Sequence, residues 1–178
     1  MSAPRFPLCL LVTDPSERFQ LRFAEQGAAL LAEVSWVQTQ ASARGLTINA
    51  VAECDLSAAV TMLQAAIPAV AVGAVEVVYL DQGMMEPYVR VRVTTPEDFI
   101  GDVIGQLNQR HGLIESLDDT SDERKIVVAT APLAQMLGYD KVLAATTRGR
   151  ALADYAFVDY RSVRCEPPVP PRTPAARA

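Results

Sequence analysis

Histidine is almost missing from this sequence: His111 is the single one in 178 residues. Any Ser/His/Asp or Cys/His arrangement would have to pass through that residue, so no nucleophilic catalyst is argued. The three cysteines, Cys9, Cys54 and Cys165, lie far apart, without a CxxC pair or a Cys/His ligand spacing. They suggest neither zinc nor a disulfide framework, and reduced thiols are expected. No GxxxxGKS or GxxxxGKT loop occurs, so the backbone cradle for nucleotide phosphates is missing and no nucleotide or other cofactor is expected. Basic residues are in deficit, 16 Lys and Arg against 21 Asp and Glu, for a net charge of −5. That argues against broad attraction to nucleic acid and leaves room only for a local basic patch. The apolar stretch from Ala65 to Val78 contains Pro68 and is too short for a membrane span. The N-terminus shows no signal-peptide pattern, so a cytoplasmic protein is expected.

What is present is a globular composition, 50% hydrophobic and 21% charged, in a length that suits one domain or two small ones. In the first half, Phe6 to Val12 reads as a strand. Asp14 as N-cap and Pro15 at the first position predict a helix to about Val34, with Phe19, Phe23, Leu30 and Leu31 apolar and Gly27 weakening its middle. Trp36 to Gln40 and Leu46 to Val51 read as strands joined at Arg44-Gly45. A helix capped by Asp55 is expected to Ile67, where Pro68 stops it, followed by a strand from Val70 to Leu80 bent near Gly73.

The second half repeats the order. Glu86 to Val93 alternates as a half-buried strand, so Arg90 and Arg92 project away from Val89, Val91 and Val93. Thr95 is expected to cap a helix entered at Pro96, with Phe99, Ile100, Val103, Ile104 and Leu107 on one face and Gly112 as a left-handed C-cap. Leu113 to Leu117 and Lys125 to Ala131 read as a hairpin around the acidic turn Asp118 to Glu123, and Pro132 ends it. Short helical segments through Met136 and around Val142 to Ala145 lead to Thr147-Arg148-Gly149-Arg150 and a last strand, Leu152 to Tyr160.

The motifs of this half resemble a known family. Met85-Glu86-Pro87, Thr95-Pro96-Glu97, Gly101-Asp102-Val103-Ile104-Gly105-Gln106-Leu107-Asn108 and Gly112-Leu113-Ile114-Glu115 resemble the C-terminal, fifth, domain of translation elongation factor G. Ala131-Pro132-Leu133, Met136-Leu137-Gly138-Tyr139 and Thr147-Arg148-Gly149-Arg150 continue that pattern in order. Thr47-Ile48-Asn49-Ala50-Val51-Ala52-Glu53-Cys54-Asp55-Leu56 resembles the family's third domain. It keeps Glu53 and Leu56 but has Ala50, Val51, Ala52 and Asp55 where the family carries glycines around a methionine and a final histidine. The resemblance implies a third-like domain joined directly to a fifth-like one, without the GTPase and fourth domains.

Two tandem α+β ferredoxin-like βαββαβ domains with antiparallel sheets are therefore expected, at 1–82 and 83–164, with a proline-rich disordered tail at 165–178. In the resembled family the Thr147–Arg150 loop lies on the domain end directed toward ribosomal RNA. Arg148 and Arg150 around Gly149 could engage phosphate oxygens there, and a solvated turn is the plain alternative. The family has Gln in place of Arg148 and Arg-Ser in place of Ala144-Ala145. Arg90 and Arg92 either extend that basic surface or are a solvated strand face. His111 reads as a helix-end residue favoured by the dipole. Glu97, Asp98 and Asp102 read as helix-start charges, and Asp118, Asp119, Asp122 and Glu123 as a solvated tip rather than a cation loop. Pro167-Pro168-Val169-Pro170 is either a proline-recognition ligand or an inert tail. The expected function is noncatalytic binding of the ribosome, through ribosomal RNA, or of a translation factor; the alternative is a protein-interaction or regulatory module outside translation.

Overall fold

The computed structural model describes residues 5–16, 18–67, 69–120 and 124–163. The tail expected at 165–178 and the helix-ending Pro68 lie outside the described residues. The first half runs β1 (Leu8–Thr13), α1 (Gln20–Leu30), β2 (Gln38–Ser42), β3 (Gly45–Ala50), α2 (Glu53–Ala66) and β4 (Ala71–Val77). The second half runs β5 (Met85–Pro96), α3 (Ile100–Gln109), β6 (Leu113–Asp119), β7 (Arg124–Pro132), α4 (Leu133–Met136), α5 (Tyr139–Thr147) and β8 (Leu152–Ser162). Each half forms a four-stranded sheet, in the orders β2-β3-β1-β4 and β6-β7-β5-β8, and every pairing is antiparallel. These are two ferredoxin-like sheets, as expected.

Alternation sets the register. Leu8, Leu10 and Val12 of β1 and Leu46, Ile48 and Ala50 of β3 are buried, against Phe23 and Ala24 of α1 and Leu56, Ala59 and Leu63 of α2. In the second sheet Val89, Val91 and Val93 of β5 and Val127, Ala129 and Ala131 of β7 meet Val103, Leu107, Leu133, Met136 and Leu143. Burying each such Val or Leu contributes about 1.5–3 kcal/mol. A one-residue slip of β5 would bury Arg90 and Arg92 instead, so the alternative register is closed.

Several local expectations are corrected. The first helix is shorter than Pro15 to Val34, because the Asp14 carboxylate serves a turn instead of a helix: it accepts the Ser16 N–H at 2.8 Å and the Ser16 hydroxyl at 2.5 Å. Gln20 then brackets Asp14, accepting its N–H at 3.0 Å and donating to its carbonyl at 2.7 Å. Gly27 does more than weaken α1, since a Cβ there would stand 2.8 Å from Leu46 Cδ2; it lets the helix approach β3. Asp55 lies inside α2, whose N-cap is Ala52. Thr95 is buried in β5 rather than capping a helix, because the ladder to β7 continues through Thr95–Lys125 and Pro96–Arg124. A 3₁₀ turn, Glu97–Phe99, then precedes α3. At the other end of α3 the left-handed residue is His111 (φ +58), not Gly112. The bonds His111 N–H to Asn108 O (3.1 Å) and Gly112 N–H to Leu107 O (2.8 Å) make a Schellman motif. Glycine is needed at 112 for closeness, as a Cβ would lie 2.9 Å from Leu107 O.

Between the halves the chain makes a tight loop. Leu80 N–H donates to Met85 O at 2.9 Å and Met85 N–H to Leu80 O at 3.1 Å. Asp81 and Gln82 inside it are left-handed, φ +48 and +55. Leu8, Val51 and Ala52 from the first half and Leu133, Met136 and Leu137 from the second surround a void of about 10 Å³, no more than the space one water needs. The Glu53 carboxylate crosses this junction to accept the Gly138 N–H.

Candidate functional site

The Thr147–Arg150 loop is built on the end of α5. Thr147 is buried; its hydroxyl donates to Leu143 O at 2.8 Å and accepts the Ala151 N–H at 3.2 Å, which ties the helix end to the start of β8. Gly149 N–H donates to Ala144 O at 2.8 Å and Arg150 N–H to Thr147 O at 3.1 Å. Arg148 and Gly149 are both left-handed, φ +56 and +74, so the chain reverses in two residues. A left-handed arginine costs about 1–3 kcal/mol and persists where the surroundings hold it. Arg148 is exposed at the tip with no side-chain hydrogen bond or ion pair among the described residues. Arg150 instead lies over the Phe99 ring, 4.7 Å from its centroid. That contact is a cation–π interaction.

Arg90 and Arg92 do project from the face opposite the buried valines. The register places Arg90 opposite Thr130 of β7 and Arg92 opposite Asp154 of β8. Arg90 is engaged: its Nε is 3.1 Å from Glu115 Oε2, and Glu115 also accepts the Thr130 hydroxyl. Thr130's hydrogen bond first, and the Arg90 charge second, hold the Glu115 carboxyl below its ordinary range. Arg92 has no ion pair among the described residues. Because Thr94 pairs with Leu152, Arg92 and Arg150 sit at the same end of the β5–β8 pair, while Arg90 lies further along and is neutralised. The same end carries acids: Lys125 is bound by Asp119 and lies 3.8 Å from Glu97. Of the four arginines singled out from the sequence, Arg90 is thus in an ion pair, and Arg92, Arg148 and Arg150 are in none among the described residues.

The helix-free faces of the two sheets bear on nucleic-acid recognition as well. Single-stranded RNA readers of this topology stack bases on aromatics of the two central strands. The central strands of the first sheet present Cys9, Leu11, Thr13, Thr47 and Asn49 there; those of the second present Arg92, Thr94, Ile126 and Val128. Among the described residues Tyr88 is the sole aromatic on these central-strand faces, and the Arg161 guanidinium covers it at 4.5 Å. Base stacking is therefore not built into either of these central-strand faces.

Sequence reasoning missed three features. Phe99, placed on a helical stripe, is the platform for Arg150. Glu53 and Gly138 link the halves, which no local pattern could signal. A cleft of about 500 Å³ lined by Glu86, Tyr88, His111, Thr130, Gln135 and Arg161 brings together side chains from four separate stretches of chain. Among the described residues no group of three or more His, Cys, Asp or Glu is arranged to hold a metal ion. Nor is any described helix long and apolar enough to cross a membrane.

Residues 83–168 match the family model described as "Elongation factor G C-terminus". The second half is similar to that family. The loop, the Schellman end of α3 and the α4–α5 pair all lie within the matched residues. A crystal structure of a protein from Thermus thermophilus is similar to this chain at a TM-score of 0.57 and 16% identity, over 92% of this chain and 42% of that one. At that identity the likeness is one of fold, and it extends beyond the elongation factor G C-terminal domain into the first half. The chain spans less than half the length of that protein.

Proposed function

We propose that this protein is a noncatalytic relative of the C-terminal part of elongation factor G, a third-like domain (1–82) joined to a fifth-like domain (83–164), and that it binds the ribosome through the Arg148-Gly149-Arg150 loop. The reading rests on one observation: Arg148 stands unpaired among the described residues at the tip of a loop whose backbone is tied down on both sides, on a domain of a translation-factor family. A loop backbone that is already ordered adds no backbone ordering cost when Arg148 meets a phosphate oxygen, which leaves only the side chain to be fixed. Arg150 supplies a second cation held by Phe99, and Arg92 extends the same end. The partner is ribosomal RNA at its backbone, and the protein works in the cytoplasm without nucleotide, since no phosphate cradle accompanies these arginines.

Cosedimentation with ribosomes over a salt series tests it. The parent protein is expected to pellet with ribosomes, and Arg148→Ala with Arg150→Ala to weaken binding and reduce the logarithmic salt slope by roughly 0.7–0.9 per lost contact. A parent protein that stays in the supernatant at low salt overturns the reading. The second reading, a protein partner in translation or outside it, is favoured by the pairing of Arg90 with Glu115, which removes one cation from the face. It predicts that the double variant binds ribosomes no worse than the parent.

A further inference from the structure

The first sheet ends in an edge that nothing among the described residues covers. β4 pairs on one side with β1, and β1 in turn pairs on its other side with β3. Its sequence, Ala71-Val72-Gly73-Ala74-Val75-Glu76-Val77, carries three valines, no proline and one charge. An edge of this kind is a template for a further strand. Beside it α2 sits over β3 and leaves the inner side of β4 open. Leu10, Leu56, Val60, Val72 and Val75 line a groove of about 220 Å³ there, and Val72 remains 46% exposed although its register with Val12 turns it toward the core. Edge and groove together form the geometry of strand addition, in which main-chain bonds give affinity and alternate side chains fill pockets.

Charge indicates what fits. Between Arg44 and Arg90 the sequence contains no Lys, Arg or His, while it contains Glu53, Asp55, Glu76, Asp81 and Glu86. Glu76 lies on the strand itself, whereas the Glu53 carboxylate at the groove is engaged by Gly138. We propose that the free edge of β4 and its groove take up an extended segment of a basic partner protein, with apolar residues alternating with Lys or Arg. The apolar set enters beside Val72 and Val75; the basic set meets Glu76 on the other face. A second copy of this chain is disfavoured, because it would bring the same acids together. The bulge of β4 opposite Leu11, where the register shifts between Leu10 and Val12, would also have to face itself.

The test is direct binding to the full chain of a fluorescent nonapeptide alternating lysine and valine, against a peptide of the same composition with its lysines in one block. The alternating peptide is expected to bind with a Kd below about 1 mM, to bind more weakly as salt rises, and to slow amide exchange in β4. Val72→Lys is expected to weaken it at least tenfold, and Glu76→Lys to weaken it and flatten the salt dependence. Circular dichroism confirms that each variant is folded; if Val72→Lys is not, Glu76→Lys and the exchange measurement decide. Equal binding of the block peptide, absence of protection in β4, or no binding at about 1 mM overturns the proposal. So does a concentration-dependent dimer of the parent that Val72→Lys dissolves, which would give the edge to a second copy.

Discussion

The carboxylate of Glu53, the first residue of α2, accepts the backbone N–H of Gly138, 85 residues later, at the break between α4 and α5. Gly138 is the left-handed N-cap of α5 (φ +71), and its N–H points out of the helix pair toward the other half. A single side chain thus spans the junction between the two sheets. The contact is charge-assisted and partly buried, worth about 1.5–3 kcal/mol. Glu53→Ala is expected to lower stability in a urea titration by an amount in that range, and Glu53→Gln by less. Trypsin does not report on the junction, which lacks Lys and Arg; a protease with broad specificity should cut Asp81–Gly83 faster in the Ala variant.

Histidine and glycine stand in the reverse of their usual places after α3. His111→Gly is expected to raise stability by about 0.5–1 kcal/mol, since a glycine takes up the left-handed conformation without the strain that a side chain brings. Gly112→Ala is expected to lower it by more than about 1 kcal/mol, because the added Cβ meets Leu107 O. Thermal melts of both variants check the pair of signs. Equal effects of the same sign would refute the assignment.

Tyr139 is fully buried and its hydroxyl finds no partner among the described residues. Burial pushes its pKa up to about 12, so the hydroxyl is protonated near neutral pH. Removing an unsatisfied buried hydroxyl restores a desolvation cost of about 1–3 kcal/mol. Tyr139→Phe is expected to be more stable than the parent, by about 1 kcal/mol, in chemical unfolding. A less stable variant would indicate that the hydroxyl is hydrogen-bonded after all.

Acid stability should run through Glu115. Its folded pKa lies below the ordinary 4.5, first through Thr130's hydrogen bond and then through Arg90. Its contribution is present above the unfolded value and is lost as pH falls through the folded one. In Thr130→Val the folded value moves back up. The variant is expected to be less stable near neutrality, with a flatter stability profile below pH 4.5 and convergence with the parent at lower pH. Because the Glu115 side chain is one-third exposed, solvent limits the size of the effect. Parallel profiles would show that Glu115 is not the group involved.

Arg148 offers a separation of strain from binding. Arg148→Gly is expected to stabilise the fold by up to about 1 kcal/mol while weakening ribosome binding as much as Arg148→Ala does. A Gly variant with parent-like ribosome affinity would place the binding elsewhere.

The alternation of β5, the apolar stripe of α3 and the repeated strand-helix-strand-strand-helix-strand order were legible in the amino acids alone. They depend on whether neighbouring side chains share a face, and a face is a property of local periodicity. The motifs from Met85 to Arg150 carried the family for the same reason, being contiguous. Helix ends were less legible: Asp14, Asp55 and Thr95 each have a capping side chain, and each is claimed by something else. A turn to Ser16 and Gln20 takes the first, the start of α2 two residues earlier takes the second, and the ladder to β7 takes the third. Tertiary structure alone decided which arginines are free, because the pairing of Arg90 with Glu115 depends on how β6 folds back beside β7. It alone put Phe99 under Arg150, Glu53 against Gly138, and an open groove beside β4. Those contacts join stretches far apart in the chain, and only the packing of helices onto sheets brings their atoms within reach.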